Sequence, residues 1–118
     1  MKQEEKDILL KDLCARLPYG VKAEILNEED ERKQVVVSYG NICYIPELGN
    51  WWWKECKPYL FPLSSMTEEQ EEEYLAMYEE NRYSWRENII DWFHKNHFDW
   101  RDLIPMGLAN DATGLSIY

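Results

Sequence analysis

Basic residues are scarce in this sequence: 13 lysines and arginines stand against 23 aspartates and glutamates, a formal net charge of −10. A field of that sign repels phosphate backbones, so generic nucleic-acid binding is not expected. Glycine is sparse too, at five residues, and none belongs to a phosphate-cradling Gly-rich loop or a glycine-flanked serine elbow. The three cysteines, Cys14, Cys43 and Cys56, are odd in number and share no close spacing. That argues against a disulfide framework or a zinc knuckle and predicts small reduced core residues. No apolar run approaches the length of a membrane span, and the charged and amide side chains from Lys2 to Lys6 do not make a secretory leader. The expectation is a cytoplasmic protein with no membrane partner.

What the sequence does have is apolar mass: 45% hydrophobic residues, with six tryptophans and eight tyrosines in 118 positions. That composition and length predict one domain spanning 1–118 that folds around a single core.

The apolar pattern outlines its elements. Leu10, Leu13, Cys14 and Leu17 follow helical spacing, which predicts an amphipathic helix over Lys6 to Leu17, stopped by Pro18 and Gly20. Val21 to Leu26 and Gln34 to Tyr39 read as a hairpin around the charged loop Asn27 to Lys33. Gly40 and Asn41 turn into a strand over Ile42 to Ile45, and Pro46, Gly49 and Asn50 into another over Trp51 to Cys56. Short connections predict an antiparallel meander. Pro58 and Pro62 suggest that Lys57 to Met66 runs extended across the domain to join sheet and helices. Thr67 with Gln70, and Ser84 with Glu87, form capping-box patterns ahead of helices over Glu68 to about Glu80 and about Trp85 to Asn96. The first of these has a thin apolar stripe and should lie on the surface. Asp99 could cap a short turn through Leu103, and the tail from Gly114 to Tyr118 pairs as an edge strand or hangs loose. The fold class is therefore α+β: an N-terminal helix, a short antiparallel sheet of three to four strands, two C-terminal helices and a short terminal turn.

Few constellations carry chemistry. His94 and His97, three apart and near Asp91 and Asp99, are the one conceivable metal set, but zincin spacing, an intervening glutamate and a third histidine are all missing. The expected metal and cofactor complement is none, and no catalytic residue is assigned. The tryptophans say more. In a strand, Trp52 projects opposite Trp51 and Trp53, so at least one face carries an exposed or groove-lining ring unless both faces are covered. With Tyr39 and Tyr44 as further rings and Lys54, Lys57 and Arg101 as cations, these residues are the candidate surface for a stacked nucleobase and its phosphates, or for a protein partner.

Three segments, KDLCARLPYGVK (Lys11 to Lys22), KPYLFPLSSMTEEQ (Lys57 to Gln70) and HFDWRDLIPMGLANDATG (His97 to Gly114), together resemble a family of short uncharacterised proteins from phages, prophages and mobile elements of gut anaerobic bacteria. The resemblance covers a little under half of the chain and implies origin rather than activity. Where that family shows two adjacent histidines before Phe-Asp, this chain has Asn96 and His97, and Trp100 and Asp102 replace the family's tyrosine and glycine. The stretch from Ala23 to Glu55 matches no family pattern and holds the tryptophans.

These readings favour a non-enzymatic accessory protein, acting in counter-defence by sequestering a nucleotide signal or blocking a host protein. Three alternatives stand beside it: an acidic DNA mimic displaying Glu68 to Glu73, a small metal-dependent hydrolase using Asp91, His94, His97 and Asp99, and a structural or scaffold protein. A homo-oligomer is compatible with all of them.

Overall fold

The computed structural model describes residues 3–26, 29–38, 44–45, 50–51, 55–80 and 85–118, and gives only the backbone at 44–45, 50–51, 55, 85 and 86. The fold is α+β. In chain order the described elements are α1 (Gln3–Arg16) with a 3-10 turn (Leu17–Tyr19), β1 (Lys22–Leu26), β2 (Arg32–Val36), β3 (Tyr44–Ile45), β4 (Asn50–Trp51), β5 (Glu55–Pro62), a 3-10 turn (Leu63–Ser65), α2 (Glu68–Glu80), α3 (Trp85–Lys95), β6 (Phe98–Asp99) and β7 (Asn110–Asp111).

β5 organises the sheet. Its first half pairs antiparallel with β1, which pairs antiparallel with β2, so Glu24 lies opposite Lys57 on one side and Gln34 on the other. Its second half pairs parallel with β7 at Tyr59 and Leu60, and with β6 at Phe61 and Pro62. The sheet is therefore mixed, where an antiparallel meander was expected, and the crossover from β5 to β6 runs through α2 and α3. The extended crossing expected from Lys57 onward is a strand at the middle of the sheet. Pro58 is tolerated there because the parallel partners begin only at Tyr59, so its missing N–H faces no second ladder. β3 and β4 form a separate pair, with Tyr44 opposite Trp51.

Strand alternation separates two faces. Ala23, Cys56 and Leu60 are buried on one face, and α1 covers it with Leu9 and Leu13, in a cluster completed by Val21, Val37, Leu103 and Leu108. Each fully buried leucine contributes about 1.5–3 kcal/mol by removal from water. Phe61, on the other face, belongs to a second cluster in which Phe98 meets Ile89 and Phe93 of α3. Tyr74 and Met77 of α2 pack against that cluster, Tyr74 stacking on Phe93 with centroids 6.1 Å apart.

The buried side of α1 is rotated from the expected stripe. Cys14 is exposed, and the buried positions are Leu9, Asp12, Leu13 and Arg16. Cys56 is the buried thiol, and burial pushes its pKa up to about 12. The capping box at α2 forms as its sequence demands: the Thr67 N–H donates to Gln70 Oε1 at 2.9 Å and the Gln70 N–H to Thr67 Oγ1 at 3.2 Å. Ser84, of the second capping pattern, lies outside the described residues, as does Cys43. The tail makes no strand after Asp111, yet Tyr118 is anchored through its hydroxyl, which accepts from the Lys22 N–H at 2.7 Å and donates to Tyr59 O at 2.8 Å.

Candidate functional site

On the face opposite α1, β1, β2 and the start of β5 present Lys22, Glu24, Arg32, Gln34, Lys57 and Tyr59, as their alternation and register require. Lys22, Glu24, Lys57 and Tyr59 are half-buried, whereas Arg32, Gln34 and the neighbouring Val36 are exposed. Strand register thus sets Lys22, Arg32 and Lys57 on one sheet face with Glu24, in a chain whose overall charge is −10. Glu24 is held from two directions, by Arg32 Nη1 at 3.3 Å on Oε1 and by the Tyr59 hydroxyl at 3.4 Å on Oε2. Burial, then the Glu24 charge and that hydrogen bond, raise the Tyr59 pKa, so its phenol stays protonated. Lys22 reaches the Ile117 carbonyl at 2.6 Å and lies 5.7 Å from the Tyr118 ring centroid. The arrangement is a sheet surface that carries three cations beside Tyr59 and Tyr118, residue types that suit an anion and a ring contact.

Of the residues singled out from the sequence, Lys57 belongs to this surface. Tyr39, Trp52, Trp53 and Lys54 lie outside the described residues. Tyr44 and Trp51 are described as paired backbone. Arg101 lies on the α1 side of the sheet, where its Nε contacts buried Asp12 at 3.2 Å and its guanidinium sits 4.1 Å from the Trp100 ring centroid. Lys22 and Arg32 escaped sequence reasoning because only the strand register puts them beside Lys57. The alternation of Lys22 with Glu24, and of Arg32 with Gln34, was the available signal.

A second polar assembly lies in the interior on the α1 side. Asp12 and Arg16 are both fully buried and paired at 2.8 Å, and Arg16 Nη2 donates to the Phe98 carbonyl at 2.6 Å. Next to them, Trp100 Nε1 donates to His94 Nε2 at 2.9 Å, which requires a neutral imidazole with its proton on Nδ1. Burial chiefly, with Arg16 and Arg101 assisting and Asp12 and Asp91 opposing, lowers the His94 pKa to about 4. His97, at a left-handed φ of 61°, stacks its ring on Tyr118 with centroids 3.7 Å apart, and burial followed by Arg16 and Lys22 lowers its pKa to about 4 as well.

The four residues of the conceivable metal set are thus engaged separately. Asp91 accepts the Tyr19 hydroxyl, His94 accepts from Trp100, His97 stacks on Tyr118, and Asp99 accepts the Leu103 and Ile104 N–H groups at 2.9 and 2.8 Å. Among the described residues, no three histidines, cysteines or carboxylates are grouped to hold a metal ion. No described helix is long and apolar enough to cross a membrane. Compared with protein-family models, curated proteins and solved structures, the chain has no match in any of the three.

Proposed function

We propose that the chain is a non-enzymatic binding protein that takes a nucleotide-type ligand on the outer sheet face, in the manner of a phage accessory protein that sequesters a nucleotide signal. The observation that carries this reading is the strand register that sets Lys22, Arg32 and Lys57 on one sheet face with Glu24 and Tyr59. An acidic protein opposes phosphate binding unless its cations share a surface, and the strand register puts three on one sheet face. Two lysines and an arginine supply charge-assisted hydrogen bonds to phosphate oxygens, and Tyr59 with Tyr118 supplies ring faces beside them. Phosphates would compete with Glu24 for Arg32, whose contact at 3.3 Å is partly exposed and therefore easily exchanged.

Isothermal titration with a panel of mono-, di- and cyclic nucleotides at low salt tests this reading, with amide chemical shifts at Glu24, Lys57 and Tyr59 to locate the ligand. One class of nucleotide should bind saturably, and Lys57→Gln should weaken it about tenfold. Absence of binding across the panel, or full affinity in the double variant Lys22→Gln, Lys57→Gln, overturns it.

A second reading draws on α2. The helix carries seven glutamates and no buried residue, and Leu75 and Tyr78 are 57% and 56% exposed. Exposed apolar side chains amid carboxylates suit a basic protein groove better than a mimic of bare phosphates. A stoichiometric basic protein that co-purifies with the chain and is lost with Leu75→Lys would favour blocking of a host protein over nucleotide sequestration.

A further inference from the structure

Where β1 leaves β5, the sheet has a notch that a side chain fills. The register of β1 on β5 ends at Ala23 opposite Pro58, and its next pair would be Lys22 with Tyr59. Backbone groups two residues apart on a strand point the same way, and two residues beyond Tyr59 the Phe61 N–H donates to His97 O. β6 therefore takes over the side of β5 that β1 vacates, and the missing rung lies between them. The Tyr118 hydroxyl stands in that rung. It accepts from the Lys22 N–H at 2.7 Å and donates to Tyr59 O at 2.8 Å, the two groups that a direct rung would join. Its ring lies on His97, with centroids 3.7 Å apart and planes inclined by 10°. Burial, working against the Lys22 N–H and Arg16, pushes the phenol's pKa up to about 12, so it keeps the proton it donates.

The rest of the segment is lightly held. Thr113 to Ser116 are exposed, and Ser116 takes a left-handed φ of 51°, which costs a serine more than a glycine. Two local turn bonds, from the Thr113 N–H to Asp111 and from the Leu115 N–H to Ala112 O, precede the contact of Lys22 Nζ with Ile117 O. Lifting Tyr118 would leave Lys22 N–H and Tyr59 O free to pair directly. It would also bring water to His97 Nδ1, which is buried without a partner among the described residues.

We propose that segment 113–118 is a releasable strap with two hydrogen-bonded states. Seated, Tyr118 supplies the rung between Lys22 and Tyr59. Released, those two residues close on each other, β1 gains one pair with β5, and the Lys22 ammonium parts from Ile117 O. A switch needs a second arrangement in which its polar groups are still satisfied, and the notch provides one. None of this depends on a nucleotide binding at the sheet face.

Nuclear magnetic resonance on ligand-free protein tests the strap, with Tyr118→Ala and with Tyr118→Phe, which loses only the bridging oxygen. In Tyr118→Ala a scalar coupling through the hydrogen bond should appear between the Lys22 nitrogen and the Tyr59 carbonyl carbon, and the Lys22 amide should stay protected from exchange. A fixed anchor would instead leave Lys22 without an acceptor, so that no coupling appears and its amide exchanges at least about tenfold faster; either result overturns the proposal. Should Tyr118→Ala not fold, the same coupling is read in Tyr118→Phe, and its absence there is equally decisive. In the parent, relaxation dispersion at Lys22 and at Leu115 to Tyr118 should reveal a minor state whose Lys22 shifts match those of the variant with the closed rung. No minor state, or one with other shifts, also overturns it.

Discussion

His94 shows how one interior contact sets the chain's response to acid. It is 5% exposed, it accepts a hydrogen bond that only the neutral ring can accept, and its pKa lies near 4 against an ordinary 6.5. His97 is depressed to the same level. Between these values the unfolded chain binds protons that the folded one refuses. The histidine contribution is therefore fully present above about pH 6.5 and is lost as pH falls towards 4, on the order of 2–3 kcal/mol for each. Urea midpoints should drop between pH 7 and pH 4.5. His94→Gln, whose amide oxygen still accepts from Trp100, should lose about half of that drop; a drop as large as in the parent would mean His94 is not buried neutral. The neighbouring Asp12–Arg16 pair explains why the first helix is hard to read from sequence. Its buried stripe alternates leucine with ions, so an apolar count selects exposed Cys14 in place of Asp12 or Arg16.

At the scale of elements, α2 depends on its cap more than on its packing. With no buried residue, it is held to α3 by Tyr74 and Met77 and started by the reciprocal Thr67 and Gln70 bonds. Thr67→Ala should therefore cost about 1 kcal/mol in chemical denaturation and reduce helical circular dichroism. That cap was legible because its chemistry is local, as were the stripe of α3 through Ile89 and Phe93 and the hairpin of β1 and β2. β6 and β7 were not: two residues cannot show a strand period, and their parallel pairing with β5 depends on α2 and α3 returning the chain to the sheet. Pro58 and Pro62 misdirected the reading of β5, since a proline's cost depends on which edges of its strand are paired. The candidate site divides the same way. Lys57 was visible beside the tryptophans, whereas Lys22 and Arg32 join it only through a register that no single segment encodes.

For the whole molecule, charge and topology act together. A net charge of −10 sets a repulsive background for anions, and any attraction by Lys22, Arg32 and Lys57 is local, its reach limited by a Debye length of about 8 Å at physiological salt. Nucleotide affinity should accordingly fall as salt rises, the opposite of a ligand held only by ring stacking. The double use of β5 has a further consequence, in hydrogen exchange. The Phe61 amide bonds to His97 O and the Ala112 amide to Leu60 O, both at 2.8 Å, while the first half of β5 is locked to β1. Opening the parallel side exposes Phe98 and Leu60, which belong to different hydrophobic clusters, so neither cluster can melt around β5 without disturbing the other. The Phe61 and Ala112 amides should therefore exchange only through global unfolding, whereas amides in α2 exchange through local opening many times faster. The strand that two prolines made look like a crossing would then be the last part of the molecule to give its protons to water.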